Sequence, residues 1–233
     1  MIDVISVDNM RQSDAAAIRG GIPSLELMRR AAQGIYDVSS IEGNTDIYVG
    51  SGNNGGDGFA LACIMASDGN IPTVVTVSDH YSPDSSYYKA RAEKLGVVVV
   101  PFEEARGRKP DTVVDCLLGT GFKGDARGLY RDAIEHINTL GARVISADIN
   151  SGLNGDTGEA ALAVISNLTV SVGSHKRGLI KALGGEYVKA VVAVDIGIPI
   201  KDKEDFFLTD EEWNEKGFPQ DLRIYEDGAV YYR

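Results

Sequence analysis

Three short stretches of this sequence crowd amides, carboxylates and hydroxyls among glycines, an expensive combination unless the polar groups have something to bind. The first reads Gly50-Ser51-Gly52-Asn53-Asn54-Gly55-Gly56-Asp57-Gly58. The second reads Asp115-Cys116-Leu117-Leu118-Gly119-Thr120-Gly121-Phe122-Lys123-Gly124, and the third Asp148-Ile149-Asn150-Ser151-Gly152. Gly50, Gly52 and Gly55 fit G-x-G-x-x-G, a spacing that permits a tight turn and close approach of a pyrophosphate to a helix N-terminus. Asp79 then becomes a candidate for a ribose hydroxyl; a plain glycine turn is the alternative. Asn53, Asn54 and Asp57 call for a polar partner beyond a pyrophosphate. Asn54, Asp115 and Ser151 supply three oxygen-bearing side chains with one formal negative charge, a set suited to a hard cation of low charge. A hydrogen-bonded cluster that cross-ties the loops is the rival reading. His80, His136 and His175 show no ligand spacing, and no H-E-x-x-H, G-x-S-x-G or Walker lysine occurs.

The elements that must position these loops are legible from apolar periodicity. Helical spacing runs from Val7 to Ile18 and from Ser24 to Tyr36, with Gly20-Gly21 and Pro23 at the join. Asp46 to Val49 reads as a strand entering the first glycine stretch, and Phe59 to Ala66 as a buried helix. Thr73 to Val77 is a second strand. The helix after it has Ser82 as N-cap, Pro83 in its first turn and Gly96 at its stop. Further strands are predicted at Val97 to Val100, Thr112 to Cys116, Val144 to Ala147, Leu168 to Val172 and Val188 to Val194. Leu129, Ala133, Ile134, Ile137 and Leu140 make one apolar helix face ending at Gly141.

Strands alternating with helices predict a mostly parallel central sheet with helices on both faces, because crossovers are nearly always right-handed. In such sheets ligands bind beyond the carboxyl ends of the strands, where all three glycine-rich stretches fall. The chain of 233 residues is expected to be one domain. Residues 200–233, acidic and aromatic without clear periodicity, read as a surface tail or an edge of the sheet.

A net charge of −11, from 34 acidic and 23 basic residues, disfavours a partner held through a phosphate backbone, so nucleic acid is excluded as a first reading. Cys63 and Cys116 lie in apolar segments and are expected to be reduced core thiols, which predicts a cytoplasmic location. Neither a secretory start nor a membrane-spanning run is visible.

Together these residues resemble the NAD(P)H-hydrate epimerase family, the YjeF N-terminal domain, over roughly Val7 to Pro199. The resemblance is carried by Gly20 to Met28, Gly52 to Gly58, Val114 to Gly121, Asp148 to Gly152 and Asp195-Ile196-Gly197-Ile198-Pro199. It implies a Rossmann-like three-layer sandwich, commonly a homodimer, acting as an isomerase on the R and S epimers of hydrated NADH or NADPH. It implies substrate contacts from Asn53, Asn54, Gly55, Gly56 and Asp57, from Gly119, Thr120, Gly121, Phe122, Lys123, Gly124 and Asp125, and from Asp148. It further implies a potassium ion (K+) held by Asn54, Asp115 and Ser151. Asp148 is then the first choice for proton transfer and Lys123 the second.

Three positions depart from the family pattern. Proline usually stands at Asn150, an acidic residue at Arg29 and aspartate at Asn167. Many bacterial relatives add a C-terminal dehydratase domain; this sequence reads either as a stand-alone epimerase, with a separate dehydratase as partner, or as a domain excised from such a bifunctional protein. Two rival functions stay open: an NAD-dependent dehydrogenase, and a catalytically silent dimeric scaffold on the same fold.

Overall fold

The computed structural model describes residues 4–201 and the backbone of residues 222–224 and 229–232. A two-residue strand β1 (Val4–Ile5) leads into α1 (Val7–Arg19), whose N-cap Ser6 accepts from the Asn9 amide. Gly21, at φ +101°, turns the chain into α2 (Ser24–Ser39). Leu27, Met28, Ala31, Ala32 and Ile35 are buried along α2 at helical spacing, the stripe expected of a helix lying on a sheet.

Next come β2 (Thr45–Val49), α3 (Asn53–Ser67), β3 (Thr73–Thr76), α4 (Pro83–Lys94), β4 (Val98–Pro101), a short α5 (Phe102–Ala105) and β5 (Thr112–Cys116). They are followed by α6 (Leu129–Ile137), β6 (Arg143–Ala147), β7 (Leu168–Val172), β8 (His175–Lys176), α7 (Arg177–Ala182) and β9 (Val191–Val194). Two strands, β10 (Leu222–Ile224) and β11 (Ala229–Tyr232), close the order.

The main sheet runs β10-β11-β9-β7-β6-β5-β2-β3-β4, and the seven strands from β9 to β4 are all parallel. β11 and β10 extend it by antiparallel pairing. The expected Rossmann-like three-layer sandwich is present. Side chains alternate between its two faces as the strand period requires. Ile47, Val49, Val74, Val114 and Cys116 pack beneath α2, α3 and α4, whereas Tyr48, Val75 and Val113 pack beneath α5 and α6.

Strand order reverses between β5 and β2. From β2 the chain moves outward to β3 and β4; from β5 it moves the other way, through β6 and β7. Such a reversal opens a crevice at the carboxyl ends of the two strands.

Most predicted elements stand where periodicity places them, with three differences in their bounds. The predicted helix at Phe59 begins six residues earlier, at Asn53, so the first glycine stretch is largely helical. Glycine's low helix propensity hides this from a local reading, and tertiary packing imposes it. The helix predicted to reach Gly141 is regular only to Ile137. The strand predicted from Val188 is regular only from Val191, Val188 itself making isolated bridges to Ser166 and Leu183. The predicted tail supplies the edge strands β10 and β11, and its other residues from 202 onward lie outside those described. Cys63 and Cys116 are buried free thiols. No helix among the described residues is long and apolar enough to cross a membrane.

Candidate active site

A cavity of about 470 Å³ opens at the switch point between β2 and β5. Its floor comes from the turns after these strands, and α1 and α2 form its rim through Met10, Arg11, Asp14, Leu27 and Met28.

The glycine stretch is shaped by close packing. A Cβ on Gly50 would stand 2.0 Å from the Leu117 carbonyl oxygen, and one on Gly55 2.1 Å from the Gly50 carbonyl oxygen. Gly56 is closed in by Met28 and Ser85. Gly52 has nothing within 4 Å of such a Cβ and lines the cavity. It is also the N-cap of α3 and makes no side-chain cap. The first amides of α3 therefore lack a side-chain acceptor at the cavity wall, a setting suited to an anionic group. Tyr130 braces this turn, its hydroxyl accepting from the Ser51 amide (3.0 Å) and donating to Ser51 Oγ (3.1 Å).

The predicted contact residues separate into two groups. Asn53, Asn54, Asp57, Gly119, Thr120, Gly121, Phe122 and Asp148 line the cavity. Gly55 and Gly56 lie buried behind it, while Lys123, Gly124 and Asp125 sit exposed on the turn beyond. Asp79 is outside the cavity, its side chain 90% exposed beside His80, so the ribose role suggested by the glycine fingerprint does not hold.

Asn54, Asp115 and Ser151 are brought together. Ser151 donates its hydroxyl to Asp115 Oδ1 (2.5 Å) and its amide to Asp115 Oδ2 (2.9 Å). Ser146 Oγ and the Leu117 amide complete four neutral donors around the carboxylate. Asn54 Nδ2 donates to the Leu118 carbonyl (3.0 Å), to which Ser151 Oγ also lies close (3.3 Å). Burial pushes the Asp115 carboxyl above its usual range, opposed by the hydrogen bonds from Ser151, Leu117 and Ser146. Asn54 Oδ1 is buried without a hydrogen-bond partner. A fully buried carboxylate with only neutral donors, beside an orphaned amide oxygen, fits an oxygen-liganded cation of low charge. No cluster of three or more His, Cys, Asp or Glu side chains suited to a metal occurs among the described residues.

Asp148 follows β6 with φ +66°, an uncommon conformation for a residue with a side chain. Its carboxylate is paired with Lys176, whose side chain is wholly buried. Asp14, Asp57 and Asp84 line the same cavity. Burial raises Asp14 to about 6, with Lys176 opposing and Asp148 reinforcing. Burial also pushes Asp57 well above the usual range, reinforced by Asp148 and Asp14 and opposed by Lys176.

Sequence reasoning missed Asp14 and Lys176. A signal for each existed: Asp14 interrupts a Met10-Asp14-Ile18 stripe at i+4 spacing, and Lys176 closes the turn that follows the carboxyl end of β7.

The three departures have local accounts. Asn150 is buried; its Nδ2 lies 2.9 Å from the Val164 carbonyl, Ser166 Oγ and the Tyr187 carbonyl, and its Oδ1 accepts from Thr169 (2.6 Å). That network ties down the turn which proline would stiffen. Arg29 pairs with Glu26 on its own helix, and Asn167 accepts the Val144 amide (2.8 Å).

Known proteins place this geometry in context. Residues 24–178 match the model of the YjeF-related protein N-terminus family. The NAD(P)H-hydrate epimerase of Lentilactobacillus buchneri is 35% identical over 209 residues, which cover 85% of this chain and 96% of that protein. The Bifunctional NAD(P)H-hydrate repair enzyme Nnr of Coxiella burnetii is 31% identical over 85% of this chain, but only 41% of that longer protein is covered. The crystal structure of yeast ynu0, YNL200c, has the same fold, with a TM-score of 0.72 at 17% identity over 99% of this chain and 100% of that one. A family match over most of the described residues and a full-length relative at this identity lead to one assignment: the chain belongs to the YjeF-related protein N-terminus family.

Proposed function

We propose that the chain is an NAD(P)H-hydrate epimerase, an isomerase that interconverts the R and S epimers of hydrated NADH or NADPH. The observation that carries this reading is the meeting, on one cavity wall, of the uncapped α3 amides and the Asp148 carboxylate. The first suits the pyrophosphate and the second a proton transfer at the nicotinamide end. The names of the relatives point to the same activity.

The chemistry needs little else. The hydrated ring bears a hydroxyl on the carbon beside its nitrogen, and the nitrogen lone pair expels that hydroxyl when an acid assists. The ring becomes a planar cation, and water returning to the opposite face inverts the centre. Asp148 is assigned the proton transfer because it lines the cavity, whereas Lys123 stands exposed on the turn beyond. Asp14 and Asp57 line the same cavity, and burial favours the protonated form of both carboxyls.

Asn54, Asp115 and Ser151 would hold the potassium ion, and a bound monovalent cation supplies charge that orders the surrounding loops. A homodimer, a cytoplasmic location and a separate hydrate dehydratase acting on one epimer belong to the same reading.

The test is chromatography of an epimer mixture with and without purified protein. Faster interconversion than in buffer, with NADH left unoxidised, is the expected result. No acceleration would favour the silent scaffold, and hydride transfer to an added carbonyl would favour the dehydrogenase.

A further inference from the structure

We propose that Lys176 is a positioning residue for this reaction, its ammonium tying one carboxylate oxygen of Asp148 so that the other is presented to the cavity. The inference rests on the epimerase reading above.

Lys176 is the one lysine or arginine in the buried set among the described residues. Burying an ammonium is costly unless its donors are taken up. Here Nζ donates to Asp148 Oδ1 (2.5 Å) and to the Val172 carbonyl (2.6 Å). The chain builds a separate two-residue parallel ladder to place it, with Ile5 of β1 in register with Lys176 of β8.

Asp148 is restrained equally closely. The Ile149 amide donates to the Ala147 carbonyl (2.8 Å), closing a three-residue turn around it, and its own amide donates to Val170 (2.8 Å). A non-glycine residue at positive φ in such a turn is strained, and strain of this kind collects at functional sites. With Oδ1 tied to Lys176, Oδ2 faces the glycine turn: a Cβ on Gly119 would stand 3.5 Å from it. Gly119 lines the cavity, so the presented oxygen is on the substrate side.

A purely structural pair is a weaker account, because a buried ion pair adds little stability over an apolar pair of similar volume. What the pair adds is one orientation of the carboxylate, in a cavity that Asp14 and Asp57 also line.

Lys176→Met and Lys176→Arg, each made in the wild type and in Asp148→Asn, separate these accounts through kcat, KM and calorimetric affinity for a stable nicotinamide dinucleotide. Lys176→Met is expected to lower kcat about 100-fold, the scale of losing a positioned group, with KM and affinity changed only a few-fold. Lys176→Arg should recover at least part of that loss. In Asp148→Asn, which has no carboxylate left to orient, Lys176→Met should lower kcat no further; that double variant removes both charges of the pair and so leaves no unpaired buried ammonium. Equal losses in both backgrounds, or a collapse of affinity with kcat preserved, overturn the positioning role. An inactive wild type would instead overturn the epimerase reading and this inference with it.

Discussion

Two aspartates on neighbouring strands are both completely buried, and their surroundings differ in one respect. Asp46, near the start of β2, is met by Nε and Nη2 of Arg108, at 2.7 to 3.0 Å, and Arg108 Nη2 also reaches Thr73 Oγ1 (2.8 Å). Asp115, near the end of β5, accepts four hydrogen bonds from Ser151, Ser146 and Leu117, all from neutral groups. At the amino end of the sheet the charge is closed by a guanidinium that is itself 39% exposed. At the carboxyl end it is left open, and the orphaned Asn54 Oδ1 stands nearby. The Asp46 charge is met by a cationic side chain, whereas the Asp115 carboxyl meets neutral donors alone among the described residues.

The largest effect is expected at Asp148, at the same carboxyl end of the sheet as Asp115. Asp148→Asn keeps the shape, removes the carboxylate proposed for proton transfer and leaves the buried Lys176 ammonium without its partner; the expected loss is on the order of 100- to 10,000-fold in epimerisation rate. Calorimetric affinity for a nicotinamide dinucleotide should change far less. A variant within a few-fold of wild type would reduce Asp148 to an orienting group.

The closed end predicts a stability effect without a rate effect. Arg108→Met strands the Asp46 charge, and the cost should be about 2–3 kcal/mol in denaturant unfolding, below the usual figure for a fully buried pair because Arg108 is partly exposed. If the variant unfolds at the wild-type midpoint, Asp46 does not depend on its partner.

Potassium provides the cross-check. It should stabilise the wild type and Arg108→Met alike, by up to about 2.7 kcal/mol at a hundredfold excess over its dissociation constant, and should have no effect on Asp115→Asn. Equal stabilisation by potassium and a bulky organic cation in the wild type would remove the cation from the open end.

The smallest effect concerns Asp14. Its folded-state value of about 6 lies above the ordinary 3.8, raised by burial, so the proton on Asp14 favours the folded state. That contribution is fully present below about 3.8 and is lost as pH rises through about 6. Asp14→Asn should therefore gain thermal stability over wild type on going from pH 4 to pH 7.5, by a few degrees at most. A difference that stays flat across this window would mean that Asp14 is as well solvated folded as unfolded.

The sequence by itself determined the layers and the parallel sheet, and it singled out Asp57 and Asp148 among the aspartates that line the cavity. Alternation such as Ile47, Tyr48, Val49 and the α2 stripe are local signals, set by backbone periods of two and 3.6 residues. The glycine-rich turns could be expected to converge because parallel strands deliver their carboxyl ends to one edge. Tertiary structure decided what those residues meet. Asn53 to Asp57 became helical only because Gly55 and Gly56 fit against Gly50, Met28 and Ser85. Asn150 found its four partners 14 to 37 residues away. Lys176 reached Asp148 across 28 residues, and Asp14 joined them from the first helix. Such pairings leave no period in the chain, because they arise where separately formed crossovers pack together and a buried charge must find its counterpart.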